Sequence, residues 1–208
     1  MYLHQDTNFV PPPFLLYFPG KHDLTIVGSS IVHWAERRAR SERASWSRLT
    51  ATTTHWDGRR GMRWYQLSAV CSQLAKASSH PQWLMIHLGG NDLASIPLLE
   101  LILTMQKDIN RFSELFPETC VVWSDILPRA TYRGAVSNAK VEKARKSLNN
   151  AMRTHMPKIN GEVIHHPNIQ WDAHHLFRKD GVHLNDTGND IFLKNIVQAL
   201  NGFFELEL

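Results

Sequence analysis

The chain has 208 residues, 43% hydrophobic and 20% charged, enough for one large domain that buries a core without metals or disulfides. Its net charge of +4 is spread along the chain, so it permits contact with nucleic acid or anionic surfaces without arguing for it. Two cysteines, Cys71 and Cys120, exclude a disulfide framework and read as buried reduced thiols of an intracellular protein, cytoplasmic or nuclear.

Residues 1–22 include "VPPPFLLYFPGKH". Prolines block helix and central strand alike, so an extended arm or linker remnant is expected, packed through Phe14 and Tyr17, ahead of a domain over 23–208. Asp6 and the proline run do not fit a secretory signal, and no run of about eighteen apolar residues offers a membrane span. "LTIVG" reads as a buried strand ending at Gly28, and "IVHWAERRARSERA" as a helix. "ATTTHW" (51–56) is a threonine-rich strand. In "GMRWYQLSAVCSQLAKA" Met62, Leu67, Val70 and Leu74 recur at helical spacing.

"WLMIHLGG" (83–90) is a strand closed by glycines, and 97–116 is a long amphipathic helix with proline in its first turn. "CVVWSDI" (120–126) is a strand, 138–156 a helix, "GEVIHHP" (161–167) a weak strand, and 185–204 a last helix with Asn or Asp as cap. Such alternation implies an α/β fold: a three-layer α/β/α sandwich of flavodoxin-like layout with about five parallel strands. Parallel strands need crossovers, which put the C-terminal end of every strand on one edge, where sites form.

Four segments fall on that edge: Gly28-Ser29-Ser30; "WDGRRGMRW" with Gly58 and Gly61; "LGGNDL" with Gly89, Gly90, Asn91 and Asp92; and "FRKDGVHLN" with Asp180 and His183. A serine hydroxyl becomes a nucleophile when a histidine takes its proton and a carboxylate orients that histidine. Asp180 and His183 are three residues apart, close enough to pair in a turn. Donors for a tetrahedral anion are at hand in the Ser30 N–H at a helix start, the Gly61 N–H and the Asn91 amide. Each of these residues also has a plainer role. Both serines can cap the helix, Gly58 and Gly61 can be turn glycines, Asp92 can cap the helix after it, and His183 can be a surface histidine. Arg59, Arg60 and Arg63 beside Trp56 and Trp64 can hold a phosphate or stack on bases, or line a solvated turn over core tryptophans. Asp172, His174, His175 and His183 lack the spacing of a metal site.

The motifs "IVGSS", "GRRG", "LGGND" and "DGVH" resemble, in order, the four blocks of the SGNH (GDSL-type) esterase and lipase superfamily. The resemblance implies strand order 2-1-3-4-5, Ser30 as nucleophile, Asp180 and His183 completing a triad, and Ser30, Gly61 and Asn91 around the oxyanion. The implied activity is hydrolysis of a small ester or acylated substrate, with neither cofactor nor metal. Ser29 stands where the family commonly has aspartate, which puts the support of the nucleophile turn in question. More narrowly, "VGSSIVHWAERRA", "WDGRRGMRW", "HLGGNDL", "VWSDILPR" and "LFRKDGVHL" are similar to SGNH-type domains carried by certain retrotransposons. That likeness implies a second reading, a catalytically silent interaction module with weak nucleic-acid association.

Overall fold

The computed structural model describes residues 22–41, 52–132 and 137–205. The arm expected over 1–22, with Phe14 and Tyr17, lies outside the described residues except for His22, which opens the first strand. Strand β1 spans His22–Gly28 and leads into helix α1, Ser30–Ala39. Then come β2 (Thr52–Gly58), α2 (Leu67–Leu74), β3 (Trp83–His87) and α3 (Leu98–Leu115). The chain continues through β4 (Cys120–Ser124), α4 (Asn138–His155), β5 (Glu162–Ile164) and α5 (Asp186–Glu205).

All strand pairs are parallel, in the order β2-β1-β3-β4-β5, as the resemblance implies. The order reverses at β1, whose neighbours are β2 and β3, and such a switch point opens a crevice at the strand ends. Gly28 lies abreast of Gly58 on one side and of His87 on the other, so three segments leave the sheet side by side.

Apolar residues on both faces of the inner strands β1, β3 and β4 explain the layers. Val27, Leu84, Ile86, Val121 and Trp123 point into a core with α2, α3 and α4. Leu24, Ile26, Trp83, Met85, Val122 and Ile164 point into a second core with α1 and α5. The side chain of Asn185 caps α5 by accepting the Gly188 N–H at 3.0 Å.

Three expectations need correction. The helix expected from Gly61 begins later, as a 3₁₀ turn over Trp64–Gln66 followed by α2. Gly61 is left-handed at φ +76° and Arg63 is extended, so the chain cannot wind before Trp64. The weak strand expected over 161–167 pairs only across Glu162–Ile164. Cys71 and Cys120 form no disulfide, as expected, but both are half-buried; Cys71 lies at the edge of its core, and desolvation pushes its thiol up. Among the described residues no helix is long and apolar enough to cross a membrane.

Candidate active site

Ser30 is the first residue of α1, directly beyond the central strand. Its side chain is nearly buried, and its Oγ lies 2.9 Å from His183 Nε2. The histidine comes from the other end of the chain. Phe177 and Leu184 pair as an antiparallel bridge and bury themselves in the α1/α5 core. The Arg178 N–H donates to the His183 carbonyl at 2.7 Å. This closed loop presents 178–183 to the nucleophile turn.

Asp180 completes the chain: its Oδ2 lies 2.6 Å from His183 Nδ1. A carboxylate only accepts, so Nδ1 carries the proton and the Nε2 lone pair faces the Ser30 hydroxyl. The other oxygen of Asp180 accepts the Val182 and His183 N–H groups, both at 2.9 Å. Burial works to raise the Asp180 carboxyl, but the hydrogen bonds from His183 and Val182 outweigh it and bring it down to about 2. Asp180 is therefore a carboxylate throughout the neutral range.

The second and third segments leave the sheet on either side of the strand that leads to the serine. Gly58 is not a left-handed turn glycine; it ends β2 against α1, where a Cβ would come within 2.4 Å of the His33 nitrogen. Gly61 is the left-handed one, and a Cβ there would meet nothing, so backbone conformation rather than space selects glycine. The Asn91 amide donates to the Met62 carbonyl at 2.9 Å, which ties the third segment to the second. Asp92 does not cap α3. It is fully buried, and its Oδ2 accepts the Trp64 N–H at 3.0 Å, a second tie between the same segments. Desolvation raises its carboxyl, and its Oδ1 has no hydrogen-bond partner.

Ser29 occupies the N-cap position of α1, yet its side chain makes no capping hydrogen bond. It lines a cavity of about 10 Å3 together with His87, Gly90, Arg129 and Val182. Arg129 had no signature in the sequence. Its guanidinium donates to Asn91 Oδ1 at 2.8 Å and so fixes which way the asparagine's N–H₂ points. Burial pulls Arg129 below the usual arginine range, against the opposing influence of Tyr132, Asp180 and Asp92.

A buried polar chain runs beneath these residues. His87 Nδ1 and His166 Nε2 each lie 2.9 Å from Ser124 Oγ. The other nitrogen of His166 lies 3.2 Å from the Asn195 amide nitrogen, which also donates to Asn168 at 2.8 Å. One proton arrangement fits all of these contacts: Asn195 donates to His166, His166 to Ser124, and Ser124 to His87. Both rings are then neutral. Desolvation favours this, lowering His87 to about 4 and His166 well below the usual histidine value.

Of the residues expected at the site, Ser30, Asp180 and His183 are hydrogen-bonded in sequence, and Asn91 is tied to the turn that holds Gly61 through the Met62 carbonyl. The expected arginine–aromatic pairing is placed differently. Arg59 is held by Asp57 through two 2.7 Å bonds, Trp64 is buried, and the aromatic ring that gathers arginines is Trp34. Chemically, the arrangement can pass a proton from a serine hydroxyl to an imidazole held by a carboxylate.

No protein-family model and no curated protein matches the chain. Solved structures do. A GDSL-like lipase from Bacteroides thetaiotaomicron is 16% identical, with 89% of either chain covered and a TM-score of 0.67. A member of the lipolytic G-D-S-L family from Veillonella parvula is 15% identical over 86% of this chain and 98% of its own, with a TM-score of 0.64. The esterase domain of a zebrafish retrotransposon ORF1 protein is 23% identical over 86% of this chain and 99% of its own. Its TM-score is 0.43, and no statement about this chain rests on it. The chain thus has the α/β/α fold of GDSL-type lipases, in agreement with the SGNH resemblance of its motifs.

Proposed function

We propose that this protein is a serine esterase of the SGNH type, cleaving carboxylic esters of small or acylated substrates through an acyl-enzyme. The observation that carries the reading is the unbroken chain Ser30 Oγ–His183 Nε2, His183 Nδ1–Asp180 Oδ2, at 2.9 and 2.6 Å. Ser30 and His183 are 153 positions apart in sequence and have no other evident reason to meet in this order.

Ser30 Oγ attacks the ester carbon as His183 Nε2 takes the hydroxyl proton, and Asp180 stabilises the imidazolium that forms. The carbonyl oxygen becomes an anion facing the Ser30 N–H, the Gly61 N–H and the second N–H of Asn91, each worth about 3 kcal/mol of barrier. Collapse expels the alcohol, which leaves with the proton from His183. Water then attacks the acyl-serine, with His183 as base, and the acid departs. Arg129 and the ties from Asn91 and Asp92 hold the donors in place before charge develops.

A fluorophosphonate probe tests this directly. It should label the protein at Ser30, and Ser30→Ala should abolish both the label and ester turnover. A folded protein that takes no label and hydrolyses no ester across several acyl lengths refutes the reading.

A further inference from the structure

Three arginines converge on Trp34, one helical turn along α1 from Ser30. The guanidinium carbons of Arg178, Arg37 and Arg60 lie 3.9, 5.5 and 6.0 Å from the Trp34 ring centre. Among the described residues, none of the three pairs with a carboxylate, whereas their neighbours do: Arg38 with Asp190, Arg40 with Glu36 and Arg59 with Asp57. Three like charges on one ring repel one another, and the attraction of the ring's face offsets that only in part. An anion set among them would remove the repulsion.

The position of the cluster ties it to catalysis. Three of the four segments that supply a site residue also supply one of these arginines. Helix α1 carries Ser30 and, further along, Trp34 and Arg37. The turn after β2 carries Arg60 and Gly61. The closed loop carries Arg178, whose N–H holds the His183 carbonyl at 2.7 Å and whose Nε donates to the Leu184 carbonyl at 3.0 Å. Arg178 is thus fixed by the backbone that fixes the histidine.

Resting on the esterase reading above, we infer that the preferred esters carry an anionic group, phosphate-like, sulfonate or carboxylate, on the alcohol side, held by Arg37, Arg60 and Arg178 around Trp34. The alcohol side follows from the loop: the leaving oxygen must reach His183 for its proton, and Arg178 enters on the same loop.

Two measurements test this. The first compares kcat/KM for 4-sulfophenyl acetate and for 4-sulfamoylphenyl acetate, a neutral ester of matched leaving group. The charged ester should be preferred by about fivefold or more, the upper range for exposed ion pairs. That preference should shrink with added salt and largely vanish in Arg37→Ala/Arg60→Ala. The second needs no turnover: inorganic pyrophosphate should change tryptophan emission saturably, and Trp34→Phe should remove the response. Ester turnover with neither charge preference nor pyrophosphate response overturns the anion site and leaves the esterase standing. A saturable response without turnover of any ester upholds the anion site and overturns the esterase. Single-stranded oligonucleotides that bind about a hundredfold more tightly than pyrophosphate would overturn the inference in favour of a nucleic-acid surface.

Discussion

The buried chain through His87, Ser124 and His166 makes the fold acid-sensitive in a calculable way. His87 is 4% exposed and its imidazole is lowered to about 4, chiefly by desolvation. In the unfolded chain it titrates near 6.5. As pH falls below 6.5 the unfolded state takes up the proton first. The stability from a neutral His87 is therefore complete above about 6.5, is lost through the window down to about 4, and then levels off. At about 1.36 kcal/mol per pH unit, the full window costs about 3 kcal/mol. His166 is lowered by the same cause and adds a loss of the same sign. Asp92 and Glu162, raised by burial, act with the opposite sign, so the contribution of His87 must be isolated by substitution. His87→Gln keeps an acceptor for the Ser124 hydroxyl and does not titrate. Urea unfolding followed by circular dichroism from pH 7.5 to 4.5 should give a midpoint that falls steeply for the wild type and clearly less for His87→Gln, at equal m-values. Parallel pH profiles for the two proteins would refute the neutral, relayed histidine.

Other perturbations follow from the site. Asp180→Asn should lower kcat for a neutral aryl ester by about four orders of magnitude while the fold survives, because the amide favours the wrong imidazole tautomer. Asn91→Ala should cost about two to three orders in kcat with little change in KM, the signature of a contact made in the transition state. Arg129→Met should reproduce part of that loss and, in combination with Asn91→Ala, add little to it, since it acts through that asparagine; a fully additive double variant would show that Arg129 acts elsewhere. Gly58→Ala should lower the thermal midpoint by several degrees through its clash with His33, whereas Gly61→Ala should affect kcat more than stability.

Much of this was legible in the sequence, and the reasons are specific. "LTIVG" and "WLMIHLGG" are apolar at successive positions because both sheet faces are covered, so the strands of a parallel sheet announce themselves. "DGVH" was legible because the histidine that meets Ser30 and the aspartate that holds it lie in one short block, and "GGND" because it closely follows a strand. The misses are of another kind. Arg129, the tie from Asp92 to Trp64 and the His87–Ser124–His166 chain are contacts between distant segments, with no local spacing to betray them. The late start of α2 escaped helical periodicity because Met62 is buried for a different reason, as part of the turn held by Asn91. Ser29 looked like a cap and sits where a cap should, but its hydroxyl caps nothing.

The register of the sheet acts as the jig for the proposed oxyanion site. Gly58, Gly28 and His87 stand abreast on β2, β1 and β3, and each strand lies about 4.8 Å from the next. The three proposed donors thus hang from a fixed gauge about 10 Å across. A slip of one residue in either neighbouring strand would carry a donor about 3.3 Å along, beyond the reach of a hydrogen bond. Long-range strand pairing therefore carries the tolerance of the catalytic centre, and insertions are best accommodated in the stretches between the tied turns and the next strand.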